Sequence, residues 1–162
     1  MCNGSLPEKW IQMTPPTVCF GARDDSYGFF KTNKAGNIIT FKLTYHSGYV
    51  SCDASNPSFR SKWGCLWSKL IPNQMATMIT DTNRKLLLPT NNYLLDYWDC
   101  KFYSLPWATT ESPELVFDNF STPLAAEANQ DFQIWYSEDL FNWDDTNNGY
   151  EKTCVSVYGL YV

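Results

Sequence analysis

Hydrophobic and polar residues alternate with a period of two along most of this chain. The clearest example is the segment 37–46. Its apolar residues would share one face: Ile39, Phe41, Leu43 and Tyr45. Such alternation is typical of a strand with one buried and one exposed face. The segment therefore predicts a half-buried β-strand.

The same alternation recurs at 132–137 and at the C-terminal end, in the segment 155–161. Shorter strands are predicted at 17–22, 27–31, 48–52, 74–80 and 114–120. Gly, Asn and Pro residues separate these segments, as in antiparallel all-β proteins.

Helical periodicity is weak throughout the chain. The segment 124–129 is predicted to be a connection or a strand edge, and 98–113 one long irregular loop. At 162 residues the chain fits one domain. We predict an all-β fold over residues 1–162, a single jelly-roll-like antiparallel β-sandwich reinforced by disulfides. The alternative is an immunoglobulin-type sandwich.

Six cysteines are spread over the whole chain: Cys2, Cys19, Cys52, Cys65, Cys100 and Cys154. The absence of a C-x-x-C pair argues against a zinc ribbon or a thioredoxin-type redox site. A disulfide framework, formed in an oxidising compartment, is favoured over six buried free thiols. We predict three disulfides: Cys52–Cys65, Cys19–Cys154 and Cys2–Cys100.

Two N-glycosylation triplets also point to secretion. They begin at Asn3 (Asn-Gly-Ser) and at Asn119 (Asn-Phe-Ser). The chain begins without an apolar leader, so we expect either a processed secreted protein or a module of a longer one. We therefore expect an extracellular location.

The charge balance excludes several partners. The net charge is −5 with 12 basic residues, which argues against a nucleic-acid partner and against anionic membrane surfaces. Apolar runs are far shorter than a membrane span, so membrane insertion is not expected.

Acidic residues gather at two strand-to-loop junctions, where sandwich proteins carry ligand loops. They are the candidate metal ligands Asp24, Asp25, Glu138, Asp139, Asp144 and Asp145. If the two junctions meet, the carboxylates repel each other unless a cation or a basic side chain intervenes. Ca²⁺, which takes several oxygen ligands, is the candidate cofactor, and Arg23 is the alternative source of positive charge. A solvated Asp/Asn/Gly turn is the simpler interpretation of 144–149.

Aromatic residues make up 17% of the chain, with seven Trp. Most are expected in the core of the sandwich, since aromatics favour pleated surfaces. Those nearest the acidic segments are candidate ligand-binding residues, because aromatic faces pack on the apolar faces of sugars. These candidates are Tyr27, Trp143 and Tyr150.

Catalytic motifs are weak. A triad would have to use His46, which is placed on the polar side of the predicted 37–46 strand, so it is interpreted as a surface residue. A hydrolase with two paired carboxylates in an aromatic cleft remains open, because sequence spacing does not test their geometry.

Several short strings carry a resemblance to known proteins. They are CFGARDDSYG (19–28), GYVSC (48–52), WGC (63–65), IWYSEDL (134–140) and CVSVYGLY (154–161). Together they resemble secreted modules of corals, anemones and other marine invertebrates, and the likeness spans nearly the whole chain. The resemblance implies an extracellular module and assigns no binding or catalytic residues.

Three hypotheses for function follow. The first is an extracellular binding module, with Ca²⁺ as a candidate cofactor, that recognises a glycan or another surface ligand. The second is a structural matrix or adhesion module whose aromatic residues contact another extracellular protein. The third is the carboxylate-pair hydrolase.

Overall fold

The computed structural model describes residues 4, 7–67 and 73–162. The described strands are β1 (Lys9–Gln12), β2 (Val18–Gly21), β3 (Gly28–Lys31), β4 (Gly36–Gly48), β5 (Thr77–Thr80), β6 (Leu86–Leu88), β7 (Leu94–Tyr97), β8 (Cys100–Tyr103), β9 (Glu114–Val116), β10 (Leu124–Ala126), β11 (Asp131–Tyr136) and β12 (Lys152–Tyr161). One short helix, α1 (Ser137–Leu140), follows β11, and a 3₁₀ turn covers Pro57–Phe59. No helix among the described residues is long and apolar enough to cross a membrane.

The strands form two antiparallel sheets and a hairpin. The larger sheet has the order β1–β12–β4–β10, with β2 also paired to β12 and β9 also paired to β4. The smaller sheet has the order β3–β11–β5–β6, and β7 pairs with β8 as a separate hairpin. The predicted all-β, antiparallel sandwich is confirmed.

Aromatic side chains fill the space between the two sheets. The ring of Phe41 on β4 lies 5.3 Å from the ring of Phe30 on β3 and 5.3 Å from that of Phe132 on β11. All three side chains are buried. Because each aromatic ring removes a large apolar area from water, this cluster stabilises the contact between the sheets.

Two of the sequence-based element predictions need correction. The segment 48–52 is not a separate strand: β4 extends to Gly48, and Val50 makes only an isolated bridge with Ser61. The segment 98–113 is not one loop, because it contains β8. The segment 124–129 does contain a short edge strand, β10.

Four of the six cysteines form two disulfides. Cys19–Cys154 joins β2 to the neighbouring β12, and Cys52–Cys65 closes a short loop. The predicted Cys2–Cys100 disulfide is wrong, because Cys100 is a buried free thiol. Cys2 lies outside the described residues. The Sγ atom of Cys100 is buried and lies 2.8 Å from the hydroxyl oxygen of Ser137, at the start of α1.

One of the two predicted glycosylation sites lies within the described residues. Asn119 is exposed and lies shortly after β9. Asn3 lies outside the described residues.

Candidate functional site

The helix α1 places two neighbouring acidic residues on different sides of the chain. It follows β11 directly, and its turn is closed by a hydrogen bond from the Phe141 amide to the Ser137 carbonyl, N···O 3.0 Å. Neighbouring residues of a helix point about 100° apart, since 3.6 residues make one turn. As a result, Asp139 contacts the loop after β2, whereas Glu138 faces a cavity.

The structure brings the two predicted acidic junctions together through Asp139. Its two carboxylate oxygens accept hydrogen bonds from the backbone amides of Asp25 and Ser26, each at 2.9 Å. Asp24 and Asp25 have φ angles of 62° and 54°, in the left-handed region that Asp tolerates better than most residues. Asp139 therefore holds the β2–β3 turn in place.

Burial raises the pKa of Asp139. The two backbone hydrogen bonds act in the opposite direction, and the charges of Asp145 and Asp25 raise it further. The two backbone amides take up two of the roughly four acceptor positions of its carboxylate and fix its orientation toward the β2–β3 turn.

Arginine side chains neutralise the two aspartates of the turn. Asp24 pairs with Arg23 at 3.3 Å, and Asp25 pairs with Arg84 at 3.0 Å. The Arg23 guanidinium also donates to the carbonyl of Thr146 at 2.6 Å and lies 4.2 Å from the centre of the Tyr150 ring. Arg23 thus ties the end of β2 to the 141–151 loop.

Glu138 lines a small cavity, named here the Glu138 cavity, with a volume of about 70 Å³. Its lining residues are Cys52, Cys65, Trp67, Gln74, Tyr97, Phe102, Glu138, Trp143, Asp144 and Asn147. Glu138 is 4% exposed and Gln74 is 2% exposed. Within the described part of the chain, neither Glu138 Oε1 nor Gln74 Oε1 has a hydrogen-bond partner. Buried polar atoms are usually paired, so these two acceptors need an explanation.

The surroundings of Glu138 favour its neutral form. Burial raises its pKa to about 8, the nearby side chain of Asn148 lowers it, and the charges of Asp144 and Asp145 raise it further. A carboxyl group removed from water resists ionisation unless an opposite charge is supplied.

The Cys52–Cys65 disulfide forms one wall of this cavity. Both sulfur atoms and a carboxylate oxygen of Glu138 lie within 4.8 Å of one another. A disulfide sulfur is not a thiolate, which is the form of cysteine that binds zinc. The two cysteines therefore shape the cavity and are not metal ligands.

Aromatic side chains surround the mouth of the Glu138 cavity. The Tyr97 ring contacts Trp143 edge to face, with 5.8 Å between ring centres, and contacts Trp67 in the same way at 6.5 Å. Trp143 is half-buried, and Trp67 is 56% exposed. Aromatic side chains beside a few polar groups are typical of small-molecule binding sites.

The structure separates the three aromatic residues predicted to bind a ligand. Trp143 lines the Glu138 cavity. Tyr27 instead stacks on Trp135, with 4.8 Å between ring centres, and Tyr150 lies under the Arg23 guanidinium. No ligand contact tests these three assignments, which remain predictions.

The side chains of the segment 144–149 lie in different surroundings. Asp144 and Asn147 line the cavity, whereas the buried Asn148 donates its side-chain amide to the carbonyl of Ala22 at 2.8 Å. Asp145 lies close enough to Glu138 and Asp139 for its charge to raise the pKa of both. Of the six predicted acidic ligands, Glu138 and Asp144 line the cavity.

Sequence reasoning missed five residues of the cavity: Trp67, Gln74, Tyr97, Phe102 and Asn147. Gln74 was placed in a predicted strand and Tyr97 precedes a predicted loop, so no local pattern connected them to Glu138. His46 is exposed, contacts the hydroxyl of Ser156 at 2.5 Å, and is not among the residues that line the cavity. This contact agrees with its interpretation as a surface histidine.

Comparisons with known proteins identify one informative likeness. No family model and no curated protein matches the chain. Among solved structures, the chain is similar to AJLec from the sea anemone Anthopleura japonica, a protein whose name is that of a lectin. The two share 27% sequence identity and a TM-score of 0.82, over 95% of this chain and 98% of that chain. The predicted resemblance to β-rich modules of marine invertebrates is confirmed.

Proposed function

We propose that this protein is an extracellular glycan-binding module, that the Glu138 cavity is its saccharide site, and that Ca²⁺ takes part in binding. The likeness to AJLec supports the class of ligand. The observation that carries the location is the pair of buried acceptors without partners, Glu138 Oε1 and Gln74 Oε1, beneath an aromatic rim.

The chemistry of the cavity suits Ca²⁺. The carboxylates of Glu138 and Asp144 and the side-chain amides of Gln74 and Asn147 supply oxygen atoms, which are the ligands that Ca²⁺ takes in proteins. A bound cation would be a partner for the two unpaired oxygens and would favour the ionised form of Glu138. Saccharide hydroxyl groups would complete the coordination.

The size of the cavity decides which part of a saccharide enters it. Its volume of about 70 Å³ is well below the roughly 300–1,000 Å³ of pockets that enclose a whole ligand. We therefore expect the cation and the hydroxyl groups to occupy the cavity. The sugar ring would rest at the mouth, against Trp143 and the exposed Trp67.

Four of the six predicted metal ligands are not part of the proposed Ca²⁺ site. Asp24 and Asp25 are paired with arginines, and Asp139 accepts two backbone amides. Asp145 acts through its charge on Glu138. The proposed ligands are Glu138, Asp144, Gln74 and Asn147, with Trp143 as the aromatic contact.

A glycan array tests the proposal directly. The secreted protein is applied with millimolar Ca²⁺ and, in parallel, with a chelator. We expect saccharide binding that the chelator removes, and loss of the same signal in Glu138→Gln and Trp143→Ala. Glu114→Gln is the matched control, because this half-exposed residue pairs with Lys42 on the larger sheet. Binding by Glu138→Gln equal to that of the parent would show that the saccharide site lies elsewhere.

A structural matrix or adhesion module is the second candidate function, and the β7–β8 hairpin favours it. Trp98 in the hairpin turn is 82% exposed, and Leu95 on β7 is 44% exposed. Exposed apolar side chains grouped on one element are typical of protein contacts. If no glycan on the array binds the protein, concentration-dependent self-association that is lost in Trp98→Ala would support this candidate.

A further inference from the structure

A second concave surface lies beside Asn119. This surface, the Trp107 groove, is open, has a volume of about 620 Å³, and is lined by Tyr93, Trp107 and Asn119 among others. Its volume falls within the roughly 300–1,000 Å³ of sites that hold small molecules. The groove takes no part in the proposed Ca²⁺ and saccharide site.

The aromatic wall of the groove is held in a fixed orientation. The indole N–H of Trp107 donates to the Val116 carbonyl at 2.8 Å, and the Tyr93 ring contacts Trp107 edge to face at 5.5 Å. Trp107 nevertheless remains 50% exposed. A flat apolar face that is already fixed lowers the entropy lost when a ring packs on it.

The acidic residue of the groove is already satisfied. The carboxylate of Asp118 accepts hydrogen bonds from the Thr90 amide, at 3.1 Å, and from the Thr90 hydroxyl. Asp118 is itself buried, so little of its side chain is exposed in the groove. Exposed amide side chains at Asn92 and Asn119 also line the groove, and they suit an occupant rich in hydroxyl and acetamido groups.

We propose that Asn119 carries an N-linked glycan whose first N-acetylglucosamine residues pack in the Trp107 groove. Asn119 starts an Asn-Phe-Ser acceptor triplet, is exposed, and itself lines the groove. A saccharide attached there begins inside the groove, so its position over the Trp107 face requires no separate binding event. The aromatic surface would otherwise remain open to solvent.

The attachment reaction is a group transfer with no change of oxidation state. The side-chain nitrogen of Asn119 bonds to the anomeric carbon of the first sugar of a lipid pyrophosphate-linked oligosaccharide. The bond from that carbon to the phosphate oxygen breaks, the lipid pyrophosphate leaves, and one amide proton passes to solvent. The transferase and the donor are those of a eukaryotic secretory pathway.

The experiment uses the full chain secreted from eukaryotic cells, in an Asn3→Gln background so that only one triplet remains. Intact mass and glycopeptide sequencing measure the occupancy of Asn119, and Ser121→Ala and Asn119→Gln remove the triplet in two different ways. Thr122→Ala, at an exposed position just outside the triplet, is the matched control. We expect a glycan on the parent and on Thr122→Ala, and none on the other two variants.

Packing is measured by hydroxyl-radical footprinting of the glycosylated protein and of the protein after enzymatic release of the glycan. We expect oxidation of Trp107 to increase several-fold after release, with Trp98 as an internal reference that does not change. An unmodified Asn119 in the secreted protein overturns the proposal. Equal oxidation of Trp107 with and without the glycan overturns it as well. Neither result affects the Glu138 cavity, which is tested separately by the array.

Discussion

The carboxyl group of Glu138 lies in surroundings that favour its protonated form. Its pKa is raised from 4.5 to about 8 in the folded protein, chiefly by burial. Between these two values the folded state retains a proton that the unfolded state has released. The unfolding free energy must therefore fall as pH rises from about 5 to about 8, and it changes by up to about 5 kcal/mol at 1.36 kcal/mol per pKa unit.

Urea unfolding in the presence of a chelator, at a series of pH values, measures this slope. Glu138→Gln is expected to flatten it, because glutamine does not titrate. Asp139, whose pKa is also raised from 3.8, contributes a slope of the same sign between its unfolded and its folded pKa. The control Glu114→Gln is expected to retain the slope of the parent. An unfolding free energy that increases from pH 5 to pH 8 in the parent would contradict this account of Glu138.

Cys100 is expected to be unreactive until the protein unfolds. It is 2% exposed, and burial raises its pKa to about 12, so the nucleophilic thiolate is scarce at neutral pH. Iodoacetamide at pH 8 should leave Cys100 unmodified in the native protein and alkylate it in guanidinium. Labelling of Cys100 at the same rate in both states would show that the thiol is accessible in the fold.

At the scale of elements, the end of β4 depends on one glycine. Gly48 has a φ of +82°, and a Cβ added there would lie 1.8 Å from the carbonyl oxygen of Lys152 on β12. Gly48→Ala therefore combines a left-handed backbone with a clash against a neighbouring strand. We expect a loss of at least about 2 kcal/mol of unfolding free energy, seen as a lower urea midpoint.

Gly4→Ala is the matched control for that substitution. A Cβ at Gly4 meets no heavy atom within 4 Å, so a change of less than about 0.5 kcal/mol is expected. Equal urea midpoints for the two variants would mean that the β4–β12 contact rearranges without cost.

The period-two pattern predicted β4 and β12 because both alternate over many residues, yet it misplaced Ile39. The pairing of β4 with β12 shifts between Gly159 and Tyr161, which pair with Phe41 and Ile38. An extra residue on β4 at this bulge turns Ile38 into the core and leaves Ile39 partly exposed. Such a shift depends on the partner strand, so a single strand's pattern does not predict it.

The β7–β8 hairpin was missed for a different reason. Its two-residue turn is Trp98-Asp99, without the glycine or Asn-Gly pair that usually marks such turns. Trp98 adopts a φ of +53°, which its residue type does not suggest. Tyr97 contacts Phe102 within the hairpin and Trp143 outside it, and the contact with Trp143 helps to hold the hairpin where its local sequence gives no signal.

At the scale of the whole molecule, the sequence located part of the candidate site. The sequence placed both acidic junctions after strands and treated their meeting as a condition for a metal site, and the hydrogen bonds of Asp139 to the 25–26 turn join them. The cavity itself was not predicted. Its unpaired oxygens belong to Gln74 and Glu138, which are far apart in sequence and share a cavity only because β11, α1 and the Cys52–Cys65 loop fold against each other.

Calcium binding by the folded protein is expected to raise its melting temperature. A ligand that binds only the folded state stabilises it by mass action, by about 2.7 kcal/mol when the free ligand is at about 100 times its Kd. Differential scanning fluorimetry with increasing Ca²⁺ should show this rise in the parent. Glu138→Gln should abolish it, because the variant lacks the buried carboxylate proposed to bind the cation.

Asp25→Ala separates the Glu138 cavity from the wider acidic cluster. Asp25 pairs with Arg84 at an exposed position, and its side chain is not part of the cavity lining. If the cavity binds the cation, Asp25→Ala should show the same Ca²⁺-induced rise in melting temperature as the parent, from a lower starting value because Ala tolerates the positive φ of this position less well than Asp. If the cation instead binds between the two acidic junctions, Asp25→Ala should lose the rise and Glu138→Gln should keep it. The two variants therefore give opposite results for the two locations, and Mg²⁺ at equal concentration controls for a general effect of ionic strength.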